Sequence, residues 1–220
     1  FCAKPEYMDL FDYIGVDVIE LTGNHEVDWG WDALKYSLNL YREHGWVYYA
    51  AGNDVANAKA AATIEHNSNR FAFIGCNPAG PPMVWAGENR PGVANCDYSW
   101  LQTEIKRLTA DGYIVIATLQ YYESYRHYAE NFERNDFRIL ADAGAVIVSG
   151  SQSHHPMEME FFGKSFIHYG LGNLFFDQMY YPTTTLEFGT RKEFIDRHVF
   201  YDGKHISTEL LTAFLEDFSR

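Results

Sequence analysis

The chain has 220 residues, a length that suits one α/β domain with a sizeable core. Hydrophobic residues make up 47% and aromatic residues 17%, which is typical of a globular chain and not of a disordered one. The formal net charge is -13 and no cluster of Lys and Arg occurs, so nucleic acid and anionic membranes are excluded as partners of a basic face. No apolar run approaches the roughly 18 residues of a membrane span.

The two ends of the sequence suggest a segment of a longer protein. The chain opens on Phe1 without an initiator Met and enters a predicted helix almost at once, and it ends on Arg220 without a tail. We therefore expect residues 1–220 to form one domain, with any signal or anchor encoded elsewhere.

Three cysteines occur, and none lies in a Cys-x-x-Cys pair, which argues against a zinc site built from thiolates. Cys76 and Cys96 flank a loop rich in Pro and Gly. They predict either a disulfide in a secreted protein or two buried free thiols. Cys2 would then be the odd cysteine.

Helices and strands alternate along the first two thirds of the chain. Apolar residues at helical spacing predict helices over 5–14, 31–44, 100–110 and 132–143. Apolar runs predict strands over 16–21, 46–51, 113–119 and 145–148, and a β-hairpin over 62–75. The long segment 77–95 carries four prolines and is typical of a functional loop or a lid.

Each of these four helices is followed by a glycine and then by an apolar strand; the glycines are Gly15, Gly45, Gly112 and Gly144. This alternation predicts a largely parallel sheet with right-handed crossovers, whose strand carboxyl ends meet at one edge. From residue 157 onward the pattern changes to hairpins over 157–169 and 193–214. We expect these strands to supply a second sheet.

Polar residues at the predicted strand ends are the candidates for function. Asn24 and His25 follow the first strand, Gln120 follows the third, and His154 follows the fourth. Amide oxygens and imidazole can bind a metal ion, which activates water for hydrolysis, and His can also transfer a proton. The simpler alternative is a strand-to-helix turn in which Asn24 supplies an unusual dihedral and Asp28 caps the helix.

Two further histidines need separate expectations. Adjacent residues on an extended segment point to opposite sides, so we expect His154 and not His155 to face the site. His168 lies in an apolar strand and is predicted to be a buried core residue. The sequence has no nucleophile elbow, phosphate loop or dinucleotide-binding fingerprint in a strand–helix setting.

The stretch 23–30, Gly-Asn-His-x-x-Asp-x-Gly, resembles the signature of the CapA family of bacterial capsule and poly-γ-glutamate synthesis proteins. That family belongs to the calcineurin-like metallophosphoesterase superfamily. Similar blocks follow in the family's order at 52–58, 141–150, 154–160 and 163–173. The resemblance implies a four-layer α/β/β/α sandwich, with the N-terminal strands and the first metal motifs lying before residue 1.

The resemblance also assigns roles to residues. It implies that Asn24 and His154 are metal ligands, with Gln120 at a third ligand position. His25 would be the acid beside the phosphate group, with Asp28 as its catalytic partner. The expected substrate-binding residues are Asn53, Glu123, Ser151, Gln152 and Asn173.

The chain departs from the family at two blocks. Gln120-Tyr121-Tyr122 replaces the usual His-Trp-Gly, and the usual Gly-His-His-Pro-His block keeps only its last His, as His154. Gln and Ser are weaker donors than His, so affinity for a transition metal should drop. One divalent ion (Mn, Fe or Zn) and no ion are equally expected.

The family implies a cell-surface or extracellular protein that makes, exports or trims an anionic capsular polymer such as poly-γ-glutamate. Metal-assisted hydrolysis would be its chemistry, and a capsule-synthesis membrane complex its partner. The alternative is a non-catalytic module that binds a polymer or glycan through the site and nearby aromatic residues; these are Trp29, Trp85, Tyr121 and Tyr122. A nucleotide phosphodiesterase is a third hypothesis.

Overall fold

The computed structural model describes residues 3–174, 176 and 189–215. The α-helices in this part of the chain are α1 (Met8–Ile14), α2 (Trp31–Glu43), α3 (Val55–Lys59), α4 (Tyr98–Ala110) and α5 (Asn131–Ala143). The strands are β1 (Val18–Glu20), β2 (Val47–Tyr49), β3 (Ala51–Gly52), β4 (Ala62–His66), β5 (Asn69–Cys76), β6 (Gly92–Val93), β7 (Ile114–Ser124), β8 (Ile147–Ser153), β9 (Met159–Phe162), β10 (Ser165–His168), β11 (Lys192–Tyr201) and β12 (Lys204–Phe214). Short 3₁₀ helices lie at Pro5–Tyr7 and Pro82–Val84.

The central sheet has the strand order β4-β5-β7-β8-β10-β9 across the described residues. Strands β5, β7, β8 and β10 are parallel, and β4 and β9 pair antiparallel at the two edges. In the β7–β8 pair, Ile116 lies opposite Ile147 and Gln120 lies opposite Ser151. The carboxyl ends of these two strands are therefore neighbours.

A second, smaller sheet of β1 and β2 lies between the central sheet and α2. Leu34 and Leu38 of α2 pack on one side of this small sheet, and Tyr49 packs toward Phe73 of the central sheet on the other. The opposite face of the central sheet is covered by α4 and α5, which bury Leu101, Ile105, Phe137 and Leu140. The predicted four-layer α/β/β/α arrangement is confirmed.

The helix ends follow the local sequence. The four predicted stop glycines have φ angles of 74°, 78°, 84° and 117°, in the left-handed region that glycine adopts without a Cβ clash. At the other end of α4, the Asp97 side chain accepts hydrogen bonds from the backbone N–H groups of Ser99 and Trp100. The stop glycines therefore end the helices shortly before the strands that follow.

Two expectations about the sheets need correction. Strands β11 and β12 form a separate two-stranded sheet, as expected, but β9 and β10 do not, because β10 pairs parallel with β8 and so extends the central one. All four residues of β10 are buried, which suits a strand covered on both faces. The strand ends of the candidate site also come from two sheets, since β1 and β2 belong to the small sheet and β7 and β8 to the central one.

The predicted hairpin over 193–214 is present as β11 and β12, with its turn at Asp202 and Gly203, and His168 of β10 contacts it. His168 is fully buried, as predicted, and its Nδ1 lies 2.7 Å from Asp196 Oδ2 of β11. His198 Nδ1 and His205 Nε2 lie 2.8 and 2.9 Å from the hydroxyl of Thr208. None of the described helices is long and apolar enough to cross a membrane.

This histidine cluster makes stability depend on pH. Burial lowers the pKa of His198 to about 4, against the opposing charge of Asp196, whereas an unfolded His titrates near 6.5. Between these values the unfolded chain binds a proton that the folded chain does not, so acidification favours unfolding. The free energy of unfolding should fall by roughly 1–2 kcal/mol more between pH 7 and pH 5 in the wild type than in His198→Gln. Urea titrations at both pH values measure the free energy of unfolding. An equal decrease between pH 7 and pH 5 in the two proteins would contradict the prediction.

Candidate functional site

The loop that follows β1 is fixed to the central sheet by side-chain amides. Asn77 Nδ2 donates to the carbonyl oxygen of Thr22 at 2.9 Å, and the backbone N–H of Asn24 donates to Gln120 Oε1 at 2.5 Å. Gly75 permits this approach, since a Cβ there would lie 2.5 Å from Thr118 Oγ1 and 3.0 Å from Thr22 Cγ2. These contacts bring the predicted ligands Asn24 and Gln120 together.

Asn77 is fully buried and also organises the 77–95 segment. Its Oδ1 accepts from the N–H of Gly80 at 2.7 Å, and its carbonyl oxygen accepts from Trp85 Nε1 at 3.1 Å. The neighbouring Cys76 forms a disulfide with Cys96, which decides between the two alternatives that the sequence left open. Cys2 lies outside the described residues. The segment is thus tied into the fold on both sides of Asn77.

His154 lies beyond the end of β8 in a defined orientation. The carbonyl oxygen of Thr190 can only accept, so Asn173 Nδ2 donates to it at 3.0 Å and Asn173 Oδ1 faces His154 Nδ1 at 3.0 Å. Because this amide oxygen also only accepts, the His154 proton must sit on Nδ1. In the neutral imidazole the lone pair is therefore on Nε2.

That Nε2 atom faces Glu123, with 3.6 Å between it and Oε1. The hydroxyl of Tyr125 donates to the same carboxylate oxygen at 2.8 Å, and the Tyr125 ring centroid is 5.1 Å from that of His154. Three predicted site residues, Glu123, His154 and Asn173, thus form one group. Tyr125 was missed, because an aromatic residue after a strand carries no pattern that marks it as a partner of a carboxylate.

The predicted catalytic pair is also in contact. His25 Nδ1 lies 2.9 Å from Asp28 Oδ2, on the loop between β1 and α2. A carboxylate in this position fixes the ring orientation and the tautomer of an imidazole. Both residues are exposed, so a substrate can reach them from solvent.

The next residue, Glu26, was missed by the sequence analysis. Burial raises the pKa of its carboxyl to about 7, and the charges of Glu20 and Asp28 add to this effect. Burial also raises the pKa of Glu20, against the lowering effect of its hydrogen bonds with Thr22 and Thr118. A carboxyl that titrates near neutral pH is suited to proton transfer. Its position next to His25 was the only indication in the sequence.

The remaining substrate-binding candidates differ in position. Ser151 lies opposite Gln120 in the β7–β8 register. Gln152 has a φ angle of 76°, a conformation uncommon for residues other than glycine and often found at functional sites. Asn53 is exposed after β3, and its side chain makes no hydrogen bond to any described residue.

The candidates therefore fall into three groups in the structure: Asn24 with Gln120, His25 with Asp28, and Glu123 with His154 and Asn173. Strand β7 connects the first and third groups because it carries both Gln120 and Glu123. No set of three His, Cys, Asp or Glu side chains suited to a metal ion occurs within the described residues. The metal-ligand roles of Asn24, Gln120 and His154 stay predictions.

A protein-family model matches most of the chain. The model described as bacterial capsule synthesis protein PGA_cap matches residues 1–178. The chain belongs to this family. Among curated relatives it is 26% identical to the capsule biosynthesis protein CapA of Bacillus anthracis over 182 residues, covering 80% of this chain and 44% of that protein. It is 26% identical to the PGA biosynthesis protein CapA of Bacillus subtilis over 177 residues, covering 80% and 47%. The chain thus spans less than half the length of these two PGA_cap relatives.

Solved structures of other proteins share this fold. A hypothetical protein from Thermus thermophilus has a TM-score of 0.61 at 14% identity, with 96% of this chain and 82% of that chain covered. The 5'-nucleotidase precursor from the same organism has a TM-score of 0.56 at 15% identity, covering 94% and 40%. At these identities the likeness concerns the fold alone, which is of the metallophosphoesterase type.

Loss of the disulfide should destabilise the domain. The bond joins residues 20 positions apart, a loop whose closure contributes about 3 kcal/mol through the restricted unfolded state. The Cys76→Ala/Cys96→Ala double variant should therefore unfold at lower urea concentration, with a deficit of about that size. Reductant should lower the stability of the wild type and leave the variant unchanged. An equal response of both proteins would contradict the prediction.

Asn173 should set the His154 tautomer. In ¹⁵N NMR spectra of the neutral wild type, His154 Nδ1 should show the shift of a protonated nitrogen and Nε2 that of an unprotonated one. Asn173→Ala removes the acceptor, so the two tautomers should both become populated. His66→Ala on the exposed end of β4 serves as the control. A His154 that keeps one tautomer in Asn173→Ala would contradict this account.

Proposed function

We propose that this protein acts in the biosynthesis, export or trimming of a capsular polymer such as poly-γ-glutamate. Membership of the PGA_cap family supports this role, as do the names of the Bacillus relatives. A Mycobacterium tuberculosis relative named "Probable polyglutamine synthesis accessory protein" is 27% identical over 187 residues and covers 77% of this chain and 48% of its own length. Two of these names refer to a polymer, as PGA or as polyglutamine.

The proposed location is the cell surface or the extracellular space, in association with a capsule-synthesis membrane complex. The bond between Cys76 and Cys96 supports this placement, because disulfides persist in oxidising compartments. In this proposal the capsular polymer is assembled and trimmed outside the cytoplasm. We assign this polymer to the site as its substrate class.

The chemistry we propose is hydrolysis, and the orientation of His154 is the observation that carries it. Asn173 holds the Nδ1 proton, so Nε2 presents its lone pair toward Glu123 at 3.6 Å. This nitrogen can accept a proton from an attacking water molecule or bind one cation. We assign the transfer of a proton to the leaving group to His25, whose ring contacts Asp28.

The donor set suits one divalent ion better than two. His154 Nε2 and the Glu123 carboxylate are two suitable ligands, and the Asn24 carboxamide makes no side-chain hydrogen bond to a described residue. A bound Mn, Fe or Zn ion would lower the pKa of its water and polarise the bond to be cleaved. The Gln120 oxygen already accepts the Asn24 N–H, which does not fit a second strong metal position.

A second candidate function is a non-catalytic module that binds a polymer or glycan. The engaged Gln120 oxygen favours it, because the Asn24 N–H already uses one of its two lone pairs and an amide oxygen is a weaker metal donor than imidazole. Of the proposed aromatic contacts, Trp29 and Tyr122 are exposed, but Tyr121 is buried and donates to Asp136 Oδ2 at 2.7 Å. Trp85 packs against the core beside α2.

Polymer cleavage by the full-length protein tests the proposal. His154→Ala and Asn24→Ala should each lower the rate of poly-γ-glutamate shortening, by about 10²-fold or more for His154. His66→Ala is the matched control and should cleave at the wild-type rate. Chain length is followed by gel filtration, and circular dichroism checks the fold.

The outcomes separate the two functions. Wild-type cleavage that persists in both variants would overturn the assigned site. A wild type that binds the polymer without shortening it would favour the binding module. Elemental analysis of the purified full-length protein should find near-stoichiometric Mn, Fe or Zn if the hydrolytic proposal is correct.

A further inference from the structure

Gln120 contains a buried hydrogen-bond donor that no described residue satisfies. The residue is only 3% exposed, and its Nε2 atom has no partner in the part of the chain that the structure describes. Unpaired polar atoms in the interior are costly and uncommon, so each calls for a physical explanation. A bound ligand is one such explanation.

The direction of this donor is fixed by its neighbour. The backbone N–H of Asn24 can only donate, and it lies 2.5 Å from Gln120 Oε1. The oxygen of the carboxamide is therefore turned toward Asn24, and the NH₂ group is the part left for a ligand. An NH₂ group carries partial positive charge and suits an oxygen acceptor, whereas a metal cation would be repelled by it.

Ser151 adds a second neutral donor at the same place. It lies directly opposite Gln120 in the parallel β7–β8 pair, so the two side chains share one face of the central sheet. Ser151 is partly exposed, and its hydroxyl makes no hydrogen bond to a described residue. Two neutral donors on one face match the two oxygens of a carboxylate.

We infer that Gln120, together with Ser151, binds a carboxylate of the polymer and does not hold a metal ion. This assignment rests on the proposed function and makes it more specific. Each unit of poly-γ-glutamate carries one free α-carboxylate beside its amide bond, so the pair would fix the register of the chain relative to His25 and His154. Gln120 would then be a specificity-determining residue for an anionic polyamide.

Gln120→Glu and Gln120→Met test the assignment in the full-length protein. Glu keeps the oxygen that accepts from Asn24 and replaces the NH₂ donor by an oxygen, whereas Met removes both functions at similar length. Binding of a γ-glutamyl decamer is measured by calorimetry at pH 8, which favours the ionised form of the introduced carboxyl. A second decamer with its α-carboxylates converted to amides serves as the neutral probe.

For the acidic decamer, Gln120→Glu should raise Kd at least about tenfold, and because it buries a carboxyl without a partner it should also lower the melting temperature. Gln120→Met should raise Kd and also lower the melting temperature, since it loses the bond to Asn24. The neutral decamer should bind the wild type more weakly, and Gln120→Glu should change its Kd much less.

Wild-type affinity of Gln120→Glu for the acidic decamer would overturn the assignment and leave Gln120 a structural residue. Equal weakening of both decamers would also overturn it, because the carboxylate would then not be the group recognised. A wild type that binds neither decamer would overturn the proposed function as well, which distinguishes the two failures.

Discussion

The site depends on the joint between the two sheets, where side-chain amides from the central sheet hold the backbone that follows β1. Asn77 donates a hydrogen bond to the Thr22 carbonyl oxygen, and Gln120 accepts one from the Asn24 N–H. A buried amide that loses its partner costs about 1–3 kcal/mol, so both ends of each contact have to be in place together. Asn77 also accepts from the Gly80 N–H and lies next to the Cys76–Cys96 disulfide, so it links the 77–95 segment to the loop, while Gln120 holds Asn24 itself.

The joint also explains why the candidate residues form groups and not one tight cluster. Strand β7 contributes to two of these groups, because Gln120 contacts Asn24 and Glu123 contacts His154. Gln120 is buried and Glu123 is exposed, so the first contact is rigid and the second is open to solvent. In the proposed function, a polymer along the end of β7 would contact the buried Gln120 first and the exposed Glu123 next.

Local sequence patterns predicted much of the fold because they describe interactions between near neighbours. The stop glycines, the hairpin at Asp202 and Gly203, and the burial of His168 depend on residues close in sequence or on hydrophobicity alone. The partners of β10 were mispredicted because pairing with β8 or with a separate sheet leaves the same local pattern. The role of Asn77 was not predictable either, since an Asn in a loop rich in Pro and Gly gives no indication that it bonds a carbonyl 55 residues away.

The negative net charge of the chain restricts the interactions by which an anionic polymer could bind. A net charge of -13 repels a polyanion at long range, and this repulsion is screened beyond about 8 Å at physiological ionic strength. Attraction must then come from groups in direct contact, and the unpaired donors at the joint are the neutral Gln120 NH₂ group and the Ser151 hydroxyl among the described residues. Such donors recognise the shape and spacing of carboxylates and amides without requiring a basic surface. An acidic protein can therefore bind an acidic polymer selectively, provided that its donors are buried and held in place, as the Asn24 bond holds the Gln120 amide.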